Sequence, residues 1–310
     1  MVMLTKKTIV LAKIEGTYAS DSTPSNTDNA IMAFDPQISI NADMKERYPA
    51  NSDISRFPEL RGKTAFEIKF STELKGSGSA GTAPRTSPLW RACGMDEAIV
   101  SSTSVAYTPI SSSFESCTIY VEIDGILYKA LGCVGTFDID LTAGEAGKVN
   151  WTFNARYVLP TDASAGTPTF DSTTPVIVKG TTTTFGAYSA IIEKLALNIN
   201  NTVAERPDFN QTEGIYGYQV TGRNPEGSMT IEAVLRAESN ADFLSYFNSG
   251  TVKALSMALG SSAGNICTIT GSYGYLRAPV VGDRDGIRTF ELPFQLARSS
   301  GNDELSIAFT

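Results

Sequence analysis

Histidine is absent from all 310 residues. Without an imidazole there is no Ser-His-Asp or Cys-His relay, and most zinc sites are excluded. Cysteine is scarce. The four present, Cys93, Cys117, Cys133 and Cys267, have no close metal-ligand spacing. In a chain this long they read as buried thiols of a reducing compartment. No apolar run reaches the ~18 residues of a membrane helix. The start, Lys6-Lys7-Thr8-Ile9-Val10-Leu11-Ala12-Lys13, mimics a signal peptide. Lys13 cuts its apolar core short, so it reads as a strand or arm. Positive charge is also in short supply: 25 Lys and Arg against 33 Asp and Glu give a net charge of −8. That balance argues against a surface that grips nucleic acid. It still allows a surface that nucleic acid passes without sticking.

What is present is a pattern that occurs twice. A turn at Pro58-Glu59-Leu60-Arg61-Gly62 leads to a strand in which Phe66, Ile68 and Phe70 alternate with Glu67 and Lys69. A short helix over 87–92, opened by Ser87 and Pro88, follows and closes at Gly94. In the second half Asn224-Pro225-Glu226-Gly227 turns, and Met229, Ile231 and Ala233 alternate with Thr230 and Glu232. A helix over 239–247, opened by Ser239, closes at Gly250. Period two is the mark of a half-buried strand. Serine, proline and glycine suit those helix ends. Leu89 and Trp90 in one helix, and Phe243, Leu244 and Phe247 in the other, are the expected buried faces. Gly227 lies 165 residues after Gly62, and Gly286 lies 139 after Gly147. The first copy therefore carries about 26 extra residues, assigned to loops over 76–84 and 96–116. Repetition in the same order points to two like units.

The expected organisation is an N-terminal arm or first strand over 1–35, a first unit over 36–159, a linker over 160–175 and a second unit over 176–310. Residues 20–29 read as a loop that orders only on contact with something else. Asp124-Gly125 between apolar runs predicts a hairpin. Phe137, Ile139 and Leu141 alternate with Asp138 and Asp140, as in an antiparallel sheet with one wetted face. Two polar excursions, 43–60 and 200–217, leave the sheet and return. Loops of that length are usually functional or disordered. With few helical segments, the expected class is mainly β: two tandem β-sandwiches, each with one short flanking helix.

Chemistry is harder to find. Gly62-Lys63-Thr64 lacks the upstream glycine and following helix of a phosphate-binding loop. Asp283-Arg284-Asp285-Gly286 lacks the closing glutamate of a calcium loop and reads as a hairpin turn. Asp138 and Asp140 sit side by side on a solvated face. No constellation supports catalysis, and no cofactor or metal is expected.

The order of features resembles that of tail tube proteins of long-tailed phages, in the form with two tube domains per chain. The residues that carry the likeness are Gly62-Lys63-Thr64, the Gly/Ser stretch Lys75-Gly76-Ser77-Gly78-Ser79-Ala80-Gly81, Pro88-Leu89-Trp90-Arg91-Ala92-Cys93-Gly94, Tyr107-Thr108-Pro109, Thr118-Ile119-Tyr120 before Asp124-Gly125, and Ala143-Gly144-Glu145-Ala146-Gly147-Lys148 before Trp151-Thr152-Phe153. The resemblance implies two tail-tube-like sandwiches whose sheets join a β-barrel ring on assembly. It implies a structural, non-enzymatic subunit forming stacked trimeric, pseudo-hexameric rings that conduct DNA during ejection. The implied partners are further copies of the chain, the tape measure, tail terminator and tail-tip proteins, and viral DNA in transit, with no membrane. The implied location is the virion tail, with the host cytoplasm during assembly. Asp138 and Asp140 are the expected lumen-facing residues. Asp43, Lys45, Glu46, Arg47, Arg56, Glu205 and Arg206 are the expected inter-ring contacts. The alternative is a tandem β-sandwich adhesin, or a tail-tip or decoration protein, that binds a host receptor or glycan.

Overall fold

Strands dominate the chain because apolar and polar side chains alternate through most of it. A computed structural model describes residues 3–4, 6–164, 166–238 and 240–310. The first half runs β1 (Thr8–Ile14), β2 (Ala30–Ile31), β3 (Ala33–Lys45), β4 (Leu60–Glu73), α1 (Ser87–Ala92), β5 (Met95–Val100), β6 (Ser104–Pro109), β7 (Cys117–Ile123), β8 (Ile126–Thr142), β9 (Lys148–Arg156) and β10 (Thr161–Asp162). The second runs β11 (Thr182–Phe185), β12 (Ile192–Asn198), β13 (Asn201–Pro207), β14 (Ile215–Arg223), β15 (Glu226–Glu232), α2 (Phe243–Ser249), β16 (Lys253–Leu259), β17 (Cys267–Leu276), β18 (Val280–Arg284), β19 (Ile287–Leu296) and β20 (Ser306–Phe309). The described residues are mainly β with two short helices, and within one copy the sheets stay open.

The pairing scheme of the first half recurs in the second. β1–β7, β7–β8, β3–β4, β4–β9, β8–β9 and β8–β10 are all antiparallel. So are β11–β16, β16–β17, β12–β15, β15–β19, β17–β19 and β17–β20. The registers shift the sequence matches. Gly135 faces Phe153 and Leu276 faces Phe294, so both members are displaced by 141 residues. Ile68 faces Phe153 as Gly227 faces Phe294, which pairs Gly227 with Ile68 rather than with Gly62. Glycine spacing misled here because a turn glycine and a strand glycine look alike in sequence.

One layer has the order β3-β4-β9-β8-β12-β15-β19-β18. The link between halves is β8 to β12, with Ile139 opposite Leu197 and Asp140 opposite Ala196. The other layer is in two pieces: β2-β1-β7-β8-β10, and β11-β16-β17-β20-β6-β5. β8 belongs to both layers. It bends at a bulge between Leu131 and Val134, where Gly132 takes φ 62°, a value that suits glycine. Much of the extra length of the first half is not loop. It is the β5–β6 hairpin, which binds β20 through Tyr107 opposite Ile307.

The start of the chain forms the strand β1, which lies between β2 and β7; Met1, Val2 and Thr5 lie outside the described residues. Several other expectations are corrected. Residues 20–29 are held by their own chain. Asp21 accepts hydrogen bonds from Tyr120 and Lys129, and Ser22 N donates to Thr118. The buried Glu15 carboxylate accepts from Ser116, Thr118, Gly132 N and Ala19 N, which fixes the arm to β7 and β8. Residues 160–175, the expected linker, contain β10 and receive hydrogen bonds from Lys75 Nζ at the Asp171 and Thr173 carbonyls; Ala165 lies outside the described residues. Thr86, not Ser87, precedes α1, and Ser87 Oγ donates to Glu97 instead of capping. Asp242 caps α2 by accepting from Ser245 N. The proposed start, Ser239, lies outside the described residues. Only Phe243 of α2 is buried, whereas Leu244 and Phe247 are exposed.

The core is one continuous cluster across both halves, from Phe66, Trp90 and Trp151 to Leu197, Met229 and Phe294. Its centre is aromatic. Trp90 meets Phe137 and Trp151 edge-on, each at 4.7 Å between ring centroids. Such contacts add to the burial of large apolar area. The four cysteines are free and buried, and burial holds the Cys93 and Cys133 thiols well above their usual range. Phe137→Ala should cost about 3–5 kcal/mol through lost area and an unfilled cavity. A urea melt should show a lower midpoint with an unchanged slope.

Candidate functional site

The layer that spans both halves has one oily and one polar face. Ile68, Phe153, Ile139, Leu197, Met229 and Leu292 face the core and are buried. On the other face stand Glu67, Lys69, Asn150, Thr152, Asp138, Asp140, Lys194, Ser228 and Glu226. Charges of both signs are interleaved: Glu67 with Lys69 at 3.0 Å, Asp140 with Lys194 at 3.4 Å, Glu226 with Arg277 at 2.9 Å. Asp138 and Asp140 therefore stand on the polar face, at the seam between halves. They line a shallow hollow of about 380 Å³ with Ala196, Asn198 and Arg277. Asn150 Nδ2 donates to Asp138 at 2.7 Å and reaches Asp140 at 3.4 Å. Partial desolvation raises the Asp138 carboxyl above its ordinary value; the Asn150 hydrogen bond opposes this and the Asp140 charge adds to it.

Two strands at the ends of this layer have a free edge. Among the described residues, β3 pairs only with β4, and β18 only with β19. Their apolar side chains are correspondingly uncovered. Ile40 is 51% exposed and Val281 is 56% exposed, whereas Leu197 and Ile139, at the internal seam, are 2% and 0% exposed.

The two polar excursions differ. Residues 46–59 carry no strand and lie in the open, with Tyr48 and Ile54 among the most exposed apolar side chains. Asp43 pairs with Lys45 at 2.5 Å, and Arg56 with Glu46 and Glu59; Arg47 is exposed. The second excursion is a hairpin, β13–β14, that lies back on the first half. Its Ile215, Tyr218 and Val220 pack on Ala65 and Val134. Glu205 pairs with Lys63, Glu213 with Arg61 at 3.1 Å, and Gln211 accepts from Arg156 at 2.7 Å. Arg206 lies over the Tyr216 ring at 4.5 Å. The structure thus ties Glu205 and Arg206 into the hairpin's contacts with its own chain; Asp43 lines a hollow with Lys63 and Glu205, and Lys45, Glu46, Arg47 and Arg56 stand exposed at or beyond the end of β3.

The residues that seat the hairpin were not singled out in sequence. Tyr18 Oη accepts from Tyr218 N at 2.6 Å, and Tyr18 stacks on Tyr216. Asn201 Nδ2 donates to the carbonyls of Cys93 and Gly135. Gly217 has φ 156°, and a Cβ there would fall 1.8 Å from Tyr18 Oη. The Tyr216-Gly217-Tyr218 triplet, a glycine between two aromatics, was the available signal for such a close approach.

Among the described residues no group of three or more His, Cys, Asp or Glu is placed to hold a metal ion. No helix among them is long and apolar enough to cross a membrane. The class so defined is an open-edged, mainly β protein with a broad polar sheet face. The sequence matches the family model for phage tail tube proteins over residues 5–304, and the chain belongs to that family. Its role is structural, in the tail tube of a phage, and it is a component of the virion tail. No curated protein matches the chain.

A carboxyl with a raised pKa stabilises the fold when protonated. That contribution is lost as pH rises from the ordinary carboxylate value through the raised one. Asp138→Asn should therefore raise the melting temperature at pH 7 and change it little at a pH below the ordinary value. Calorimetry at the two pH values checks this.

Proposed function

We propose that three copies close into a ring, and that rings stack into a tube whose lumen conducts DNA. In this reading the chain consists of two like tube units, roughly 36–159 and 176–310, joined by residues 160–175. The observation that carries it is the β8–β12 ladder, a ready-made junction between units. Equivalent positions in the registers put Val281 in the place of Ile139 and Ile38 in the place of Leu197. The same ladder between copies would pair β18 of one with β3 of the next and cover both free edges.

Size supports three copies. The spanning layer supplies β3, β4, β9, β8, β12, β15, β19 and β18, so three chains give ~24 strands. At ~4.8 Å per strand and ~40° of tilt they close a barrel about 48 Å across at the backbone. Side chains leave room for a DNA duplex. Two copies, with ~16 strands, give about 32 Å at the backbone, a channel that side chains on both walls narrow to about the width of a duplex with no clearance. The polar face would line the lumen. Its interleaved charges leave no continuous basic track to trap phosphate. In the virion, contacts with tape measure, terminator and tail-tip proteins would cap the stack, and assembly would begin in the host cytoplasm.

Negative-stain microscopy of the purified protein should show annular rings or tubes. Val281→Asp places a charge in the proposed junction but on an exposed site of the free chain. It should change the stability of the free chain by less than about 1 kcal/mol and abolish rings. Unaltered rings in Val281→Asp would overturn the β18–β3 junction. Monomers under all conditions in the wild type would overturn the ring.

A further inference from the structure

The two excursions occupy equivalent places, since one joins β3 to β4 and the other joins β12 to β15. The second finds its seat on the neighbouring unit, which is the first half of its own chain. There it covers Ala65 and Val134, at 5% and 3% exposure. The matching places on the second half are bare. Val134 faces Asn154 as Tyr275 faces Gln295, and Tyr275 is 42% exposed. Asn224, which precedes β15, is exposed as well. Residues 46–59 lack any seat in their own chain, yet carry Tyr48, Ile54 and Phe57 on the surface. They leave from the free edge of β3, the edge that a second copy meets in the ring proposed above.

We propose that residues 46–59 of one copy fold over the second half of the neighbouring copy in the same ring and cover Tyr275. The contact is lateral. It follows the one docked example that this chain contains, instead of reaching along the axis to the next ring. The segment changes from open coil to seated loop only when a second copy is present, so ordering accompanies assembly. The inference rests on the ring reading.

The test is a double variant, Ile54→Cys with Tyr275→Cys, assembled into tubes and treated with a short bismaleimide. Each maleimide adds one thiol, so no oxidant is needed. The four natural cysteines are buried, and the two single variants serve as controls. Lateral docking gives denatured products of one, two and three chains and nothing larger, because three chains close a ring. A ladder beyond three chains means an axial contact and overturns the proposal while the ring stands. Intact tubes without cross-links do the same. Absence of rings in the wild type overturns the ring reading, and the proposal with it. Should the double variant not assemble, hydrogen exchange on wild-type tubes decides. Amides of residues 46–59 should exchange at least tenfold more slowly in tubes than in free chains, and an unchanged rate overturns the proposal.

Discussion

The β8–β12 ladder is the constraint on which the rest depends. Backbone N–H and C=O groups at a sheet edge need partners once water is removed. Inside the chain, β8 and β12 supply those partners to each other, and Ile139 and Leu197 are buried as a result. At the ends of the same layer the same kind of strand has nothing beside it. Val281 and Ile40 are exposed there. The chain thus holds one closed seam and two halves of another. A head-to-tail contact of that kind either closes into a ring or runs on without limit. The twist and tilt of a mainly antiparallel layer favour closure.

The two faces of that layer divide the work. The core face joins both halves into one apolar cluster around Trp90, Phe137 and Trp151, so the seam is stiffened from behind. The polar face carries Asp138, Asp140, Lys194, Glu226 and Arg277 in mixed order. Exposed pairs of this type contribute little to stability, typically under ~1 kcal/mol each. Their value in the proposed lumen is the lack of any strong patch of one sign. The second layer is less regular. There the β5–β6 hairpin reaches across to β20, and among the described residues the second half has no equivalent hairpin. In the proposed ring, seams within chains are therefore reinforced on the outer side, and seams between chains depend more on the β-ladder and the excursion.

Much of this was legible in the sequence, for reasons that are local. Period-two alternation located the strands around Phe66, Phe137, Trp151 and Met229, and Asp124-Gly125 and Asp285-Gly286 located two hairpins. Leu89 and Trp90 were placed correctly in the core. What stayed hidden depends on contacts far apart in the chain. Nothing near Thr8 shows that β1 is held by Glu15 and by strands more than a hundred residues away. The polar run after Asn200 reads as loop, because a hairpin lying on another surface buries only a few residues, such as Ile215, Tyr218 and Val220. Helix α2 was placed from Ser239 on the strength of a capping serine, whereas Asp242 caps it, and Leu244 and Phe247 remain at the surface although they are apolar. Of the candidate residues, alternation alone placed Asp138 and Asp140 on the polar face. The seating of Glu205 and Arg206 required the fold.

A density map of the assembled tube at strand resolution tests the central claim most directly. The account predicts three chains per ring, with β18 of each beside β3 of the next and Val281 next to Ile38. Six chains per ring, or a lumen wall in which those two strands do not touch, would contradict it.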